Sequence, residues 1–353
     1  MLVSSQLAQV PSVERLVDLW AERYLPRLSK LGLADDPGVR DALRSASASS
    51  GRAQTAEKLP KKLVEERCRL AAVRVKDTYD HLPEGCDFKE VLNLARFAAP
   101  VYLKLLDVYQ ESAGGTASKA ELRASFGSSS LAAWGMPNVD TLSSALEPLL
   151  LAFQEQHMIA KDWRTLGFIT TEINFSSALL LEYLSPAEQV LIGSYFDFLE
   201  EQVALPWQRM CAAAARYDIG DPVFRVVEQM LPQASDIALT VYTRACRTFS
   251  NYHGRRGSLK DPKVKHSSLR DLSMFQAYLW LAVLQGSLQV VEQELIALCV
   301  VVLEEIGVPW KMTAQGIEML TDEIISRLGA DQVELVKPYT DGMVRAFNNS
   351  VSR

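Results

Sequence analysis

The chain has 353 residues, of which 48% are hydrophobic and 23% are charged. At about 150 residues per domain this length predicts two domains, and a chain so apolar is not globally disordered. The formal net charge is -6 at pH 7, which argues against a general nucleic-acid coat because phosphate binding needs a positive field. The five cysteines are scattered and form no CxxC pair, so we expect a reduced, intracellular protein rather than a disulfide scaffold.

The chain carries no pattern that predicts export or membrane insertion. Residues 1–11 lack the basic start and long apolar core of a signal peptide. The longest apolar run, Leu295 to Leu303, is too short for a bilayer, which needs about 20 apolar residues. We therefore expect a helix there that is buried on nearly all sides.

Helical spacing of apolar residues along the N-terminal part, without alternating strand patterns, predicts an all-α fold class. The first helix is expected to start after Pro11 with Ser12 as its cap. The small, polar segment 45–56 is predicted to be a loop. Helices are expected at about 56–81, 87–110 and 139–160, with Pro100 kinking the second.

Helix boundaries are clearer in the C-terminal part. In Ser185-Pro186-Ala187-Glu188, Ser caps the helix, Pro takes the first helical position and Glu reaches back. Pro206 is expected to bend or divide this helix, and Asp221-Pro222 starts the next one. The remaining helices are predicted at about 268–285, 287–306, 312–328 and 331–347, with stops at Gly286, Gly307 and Gly329.

A set of short motifs follows in a fixed order near the C-terminus. They are Gly257, Ser268-Leu-Arg-Asp271, Gly286, Ile306-Gly-Val-Pro309, Leu328-Gly-Ala-Asp331 and Tyr339-Thr-Asp341. From about Leu184 onward, this order and spacing resemble a phycobiliprotein subunit. The resemblance implies a globin-like helical bundle over residues 165–353, preceded by an N-terminal helical domain of unknown type over residues 1–150.

The resemblance also points to one site. Where the family carries Cys-x-Arg-Asp, this chain has Ser268, Arg270 and Asp271. In the family that Cys bonds covalently to a linear tetrapyrrole, the Arg pairs with a bilin propionate and the Asp accepts hydrogen bonds from the pyrrole nitrogens. A serine hydroxyl is far too weak an acid to replace the thiolate, so covalent attachment is not expected at this site.

Two interpretations of this motif stay open. Arg270 and Asp271 are candidates to bind a bilin non-covalently, as the resemblance implies, and no other cofactor is expected. Alternatively, Ser268 caps a helix, with Asp271 three residues later in the first turn, and Arg270 is a surface or interface charge.

A basic segment directly precedes the motif. Residues 253–270 contain Asp261 as their only acid before Asp271, and the candidate partner-binding residues are Arg255, Arg256, Lys260, Lys263 and Lys265. These cations suit the carboxylates of a tetrapyrrole or an acidic partner. A solvated charged loop and an RNA site are the alternatives, although the overall negative charge argues against nucleic acid.

No pattern of catalysis or metal binding emerges. The four histidines are dispersed without HExxH or paired Cys/His spacing, so no metal is expected. There is neither a Walker A loop nor a GxSxG elbow, and we expect no enzyme. The apolar stretch from Phe175 to Tyr183 is expected either to form a subunit interface, by the resemblance, or to pack within the chain.

These observations lead to a functional hypothesis. The chain is interpreted as a non-catalytic phycobiliprotein-related protein without covalent bilin, which binds, assembles or regulates the light-harvesting phycobilisome of a cyanobacterium. The expected partners are phycobilisome or other antenna proteins, or a second copy of the chain. The expected location is the cytoplasm, at the cytoplasmic face of the photosynthetic membrane. A globin-like sensory or regulatory module and a non-covalent tetrapyrrole carrier are the alternatives.

Overall fold

The computed structural model describes residues 9–24, 37–80, 87–111, 139–160, 163–255, 257–305 and 307–350. Helices account for nearly all of these ranges, which confirms the predicted all-α class. The exception within them is a hairpin of two-residue strands, in which His253 pairs with Ser258 and Gly254 with Gly257. No helix in the described part of the chain is long and apolar enough to cross a membrane.

The helices are numbered here in chain order. They are α1 (Pro11–Ala21), α2 (Pro37–Ser47), α3 (Ser49–Glu57), α4 (Lys61–Tyr79), α5 (Phe88–Glu111), α6 (Val139–Ala160), α7 (Trp163–Leu181), α8 (Pro186–Ala204), α9 (Trp207–Ala214), α10 (Pro222–Met230), α11 (Ala234–Thr248), α12 (Pro262–Gln285), α13 (Ile296–Glu305), α14 (Trp310–Ile325) and α15 (Ala330–Asn349). The strands are β1 (His253–Gly254) and β2 (Gly257–Ser258). Short 3-10 turns follow α1 and α10, and a π-helical turn at Val291–Leu295 leads into α13.

The chain divides into two compact units. The first is built mainly from residues 20–161 and 168–203, and the second from residues 3–19, 162–167 and 204–353. Helix α8 thus packs with the first unit although the resemblance begins near its start. The domain boundary between residues 150 and 165 stays a prediction.

Aromatic pairs mark the core of the first unit. Tyr79 packs on Phe168 with ring centroids 4.8 Å apart, and Tyr102 meets Phe196 edge-on at 5.2 Å. The hydroxyl of Tyr102 also donates to the backbone oxygen of Ile173 at 2.8 Å. Helix α7 is therefore held against α4 and α5, and most of its stretch from Phe175 to Leu181 is buried within this unit. This burial favours packing within the chain, rather than a subunit interface, for the apolar stretch that begins at Phe175.

The predicted loop over residues 45–56 is wrong, because the segment forms the end of α2 and most of α3. Its small residues serve close packing: a Cβ on Gly51 would lie 2.0 Å from the backbone oxygen of Ser45. Arg52 is fully buried. Its Nε donates to the oxygen of Tyr109 at 2.9 Å and its Nη1 to that of Ser47 at 2.5 Å. These two hydrogen bonds stabilise α3, a helix that the polar composition of the segment does not predict.

Two predicted helix caps and one predicted helix break are confirmed, whereas the cap at Ser12 is not. Glu188 accepts a hydrogen bond from the backbone nitrogen of Ser185 at 2.8 Å, and Asp221 accepts one from Val223 at 2.8 Å, as expected. Pro206 separates α8 from α9, which confirms the predicted break. The prediction for Ser12 is wrong: Pro11 is already helical, and the Ser12 hydroxyl donates to the oxygen of Ala214 at 2.9 Å.

Helix α12 is the centre of the second unit. Every residue from Leu272 to Leu284 is buried, so this stretch is enclosed on all sides rather than amphipathic. It ends at Gly286, whose φ of +67° favours glycine, as the predicted stop requires. The predicted helix over the apolar run is confirmed in α13, although Val300 is 37% exposed.

Other contacts fix the helices around α12. The Arg209 Nη2 atom lies 2.9 Å from Glu294 Oε1 and joins α9 to the π-helical turn. Trp310 of α14 stacks on Phe347 of α15 at 5.5 Å, and its Nε1 donates to the Phe347 oxygen at 2.8 Å. The last two helices of the unit, α14 and α15, are thereby anchored to each other.

We predict that Arg52→Met destabilises the first unit by about 3 kcal/mol, because two buried backbone oxygens lose a charged donor. Arg69→Met, at a side chain that is 66% exposed in the same unit, is the matched control and should change the free energy of unfolding by less than about 0.5 kcal/mol. Urea titrations of both variants measure the difference. Equal effects would show that the Arg52 bonds do not stabilise α3.

A second prediction concerns Glu172, whose side chain is fully buried in the first unit. Oε1 accepts a hydrogen bond from Ser176 at 2.8 Å, whereas Oε2 has no partner among the described residues. Burial raises the pKa of this carboxyl well above its usual range, against a smaller lowering by Ser176. The folded unit therefore holds Glu172 neutral while the unfolded chain ionises it, and stability falls as the pH rises above the unfolded pKa.

Glu172→Gln should remove this pH dependence. The gain in free energy of unfolding over the wild type should grow from about pH 4.5 upward, by at most about 1.4 kcal/mol per pH unit. Glu188→Gln is the opposite control: burial raises the Glu188 pKa, but hydrogen bonds from Lys58, Ser185 and Thr55 together lower it. That variant should lose stability at neutral pH and approach the wild type in acid. Parallel pH profiles for the two variants would contradict the assignment.

Candidate functional site

The site is built on the first turns of α12. Asp261 caps this helix by accepting a hydrogen bond from the backbone nitrogen of Lys263 at 2.9 Å, with Pro262 at the first helical position. The helix thus begins six residues before the predicted start at 268. Ser268 and Asp271 lie inside it, so the interpretation of these two residues as a helix cap is wrong.

One face of α12 borders a cavity of about 120 Å³. Residues three and four positions apart share a helix face, and the cavity-lining positions of α12 follow this spacing: Val264, Ser267, Ser268, Asp271, Leu272 and Phe275. The other walls come from α11 and the residues after it, the hairpin, the end of α13 and α14. The Arg244 to Glu323 ion pair, at 2.6 Å, holds α11 against α14 on this side.

The motif residues are partly brought together. Ser268 and Asp271 both line the cavity, whereas Arg270 does not. Arg270 instead pairs with Asp271, with Nη2 3.0 Å from Oδ1 and side chains that are 12% and 21% exposed. This ion pair compensates both charges at a half-buried position.

The comparison with protein families matches the same part of the chain. Residues 207–347 match the model of the phycobilisome protein family. The C-terminal region is phycobiliprotein-like. This confirms the resemblance read from the motifs around Ser268, and the matched range lies wholly within the second unit. Neither the curated proteins nor the solved structures gave a match to the chain.

The basic segment lies beside the cavity of the phycobiliprotein-like region. Two of the hairpin's glycines line the cavity, and the Tyr252 hydroxyl ties the hairpin to the Gly307 oxygen at 3.1 Å. The candidate residues Arg255, Lys260, Lys263 and Lys265 are exposed, whereas Arg256 lies outside the described residues. Among the described residues the three lysines have no ion-pair partner, because the nearby Asp261 caps α12.

Two cysteines interact with residues that line the cavity, Cys299 with Asp271 and Cys246 with Tyr242, although neither lines it. Burial, with a smaller contribution from Asp271, raises the pKa of Cys299 well above its usual range, so this thiol stays protonated. Cys246 is half-buried on α11, one helical turn from Tyr242, a cavity-lining residue whose pKa burial raises. The four-residue spacing of Tyr242 and Cys246, which places both on one face of α11, was the sequence signal that could have linked this thiol to the site.

Phycobiliproteins carry bilin chromophores, usually through a covalent bond. Ser268 supplies no thiol at the motif, and a serine hydroxyl is too weak an acid to replace one. The residues present therefore do not fit a covalently held four-ring chromophore. Non-covalent bilin binding by Arg270 and Asp271 stays a prediction. Within the described residues, no cluster of three or more metal-ligating side chains occurs.

The cavity also predicts the effect of adding a methyl group to α14. Gly316 lines the cavity, and a Cβ on it would meet nothing within 4 Å. Gly316→Ala should stabilise the protein by about 1 kcal/mol through helix propensity. Gly286→Ala, the same substitution at a φ of +67°, should destabilise it by about 1 kcal/mol. Urea titration gives both signs, and a destabilising Gly316→Ala would contradict the open space.

Proposed function

We propose that this protein is a pigment-free relative of the phycobiliproteins that binds the cyanobacterial phycobilisome and helps to assemble or regulate it without catalysis. The observation that carries the proposal is Ser268 on an otherwise retained phycobiliprotein-like helical region. Losing the attachment thiol removes covalent light absorption but leaves the folded surface available for protein contacts. The cytoplasmic face of the photosynthetic membrane is the location that this partner implies.

The basic segment supports a docking role. Lys260, Lys263 and Lys265 are exposed within six residues of one another, in a chain whose net charge is -6. Such a local positive field attracts an acidic protein face, on an antenna protein or on a second copy of this chain. We therefore place the antenna contact here, with self-association as the competing arrangement.

Affinity capture from antenna-containing cyanobacterial lysate tests the docking role. The wild type should retain phycobilisome subunits, identified by mass spectrometry. The triple variant Lys260→Glu, Lys263→Glu and Lys265→Glu should retain at least tenfold less. Its matched control carries Lys62→Glu, Lys89→Glu and Lys104→Glu, at exposed positions of the first unit, and should behave as the wild type. Loss of antenna subunits in both triple variants would remove the role of the basic segment, and their absence from the wild-type capture would overturn the proposed function.

The pigment-free state has a separate test. Wild-type protein produced with bilin and a bilin lyase should contain no covalent adduct by denaturing mass spectrometry. Ser268→Cys restores the thiol at the motif, and adduct formation there would show that the missing thiol alone excludes pigment. An adduct on the wild type that Cys246→Ser removes would contradict the proposal by identifying a substitute attachment site.

A globin-like regulatory module or a non-covalent tetrapyrrole carrier is the second candidate function. The cavity beside Asp271 favours it, since a carboxylate at an apolar opening suits a ligand with hydrogen-bond donors. Adding free bilin distinguishes the candidates. A saturable change in the bilin spectrum, with no antenna subunits captured, would favour the carrier over the antenna-binding protein.

A further inference from the structure

The cavity itself carries an inference beyond the proposed antenna role. Its lining is mainly apolar, and its walls combine helices α11, α12 and α14 with the hairpin. Four lining residues of α12 and α14 have side-chain oxygen atoms: Ser267, Ser268, Asp271 and Thr313. A mainly apolar recess with a few polar groups is the usual composition of a small-molecule site.

The size of the cavity limits the ligand. An engineered apolar cavity of about 150 Å³ binds benzene, so the space of about 120 Å³ here accommodates close to one six-membered ring. The absence of any atom within 4 Å of a Cβ on Gly316 places open space directly against α14. A ring can therefore lie against the backbone of this helix, in space that a large side chain at position 316 would fill.

Thr313 supplies a polar group that could orient a ligand in the cavity. The residue is 7% exposed, and its hydroxyl oxygen is buried with no hydrogen-bond partner among the described residues. Its helical neighbour Pro309 already accepts from the backbone nitrogens of Met312 at 2.8 Å and Thr313 at 3.2 Å. A buried hydroxyl without a partner is unfavourable. Because Thr313 lines the cavity, a χ1 rotation can turn its hydroxyl towards a ligand there.

We propose that this cavity binds a neutral single-ring molecule with one hydroxyl group, of the phenol class, and that Thr313 hydrogen-bonds the ligand hydroxyl. The ring fills the space against Gly316 and gains apolar burial. The two hydroxyl groups are complementary, because each donates one hydrogen bond and accepts another. A charged ligand is excluded because the apolar walls would strip its hydration, and the lining carboxylate of Asp271 already pairs with Arg270.

Phenol and benzene binding to the full chain test the proposal. Titration followed by ligand-observed NMR and calorimetry should show saturable binding of both, with phenol preferred. Thr313→Val keeps the side-chain shape and removes the hydroxyl, so it should weaken phenol binding about tenfold and leave benzene binding unchanged. The matched control is Thr321→Val on the same helix, where the hydroxyl already donates to the Ile317 oxygen at 3.0 Å. This control should leave both affinities unchanged.

A cavity-filling variant locates the ligand. Gly316→Leu should abolish binding of both molecules, while Gly316→Ala serves as the smaller variant if the larger one unfolds and should weaken both. Phenol bound with wild-type affinity by the variants at Gly316, or equally by Thr313→Val and the wild type, would overturn the proposal. A wild type that binds neither molecule saturably would do so as well. None of these results depends on antenna capture, so the proposed function stands or falls separately.

Discussion

The hydrogen bond from the Lys263 backbone to Asp261, at 2.9 Å, fixes where helix α12 begins. Because Pro262 takes the first helical position, the phase of every later residue on the helix is determined there. Ser268 and Asp271 consequently share a face with Leu272 and Phe275 towards the cavity. A cap at Ser268 would instead have moved these residues to the frayed end of the helix, where they could not form one wall.

The two units stabilise their helices by different means. In the first unit, buried polar groups carry much of the specificity, since Arg52 and Glu188 each bond to a different helix or turn. In the second, apolar enclosure dominates, because α12 is buried without interruption from Leu272 to Leu284. Helices enclosed in this way tolerate a local cavity, as the surrounding contacts keep its walls in place.

The features that the sequence predicts correctly depend on interactions between residues close together in the chain. Asp221-Pro222, Ser185 with Glu188, Pro206 and Gly286 act within four residues of themselves, so their chemistry is legible in the chain. The wrong predictions concern residues whose hydrogen-bond partners are far away in the sequence. Arg52 is held by Tyr109, 57 positions away, and Ser12 by Ala214, 202 positions away. The phycobiliprotein-like region was identified from motif order, whereas the cavity forms only when α11, the hairpin, α12, the end of α13 and α14 pack together.

The pairing of Arg270 with Asp271 shows how two half-buried charges are balanced within the chain. A half-buried carboxylate without a counter-charge destabilises a fold, and the resemblance implies that in the family a bilin engages both residues. Here the guanidinium lies 3.0 Å from the carboxylate, so each charge is compensated within the chain. The Asp271 carboxylate therefore needs no ligand to supply its counter-charge. Among the described residues, the buried hydroxyl of Thr313 on the facing helix has no hydrogen-bond partner, and this neutral group suits the proposed small uncharged ligand better than a propionate.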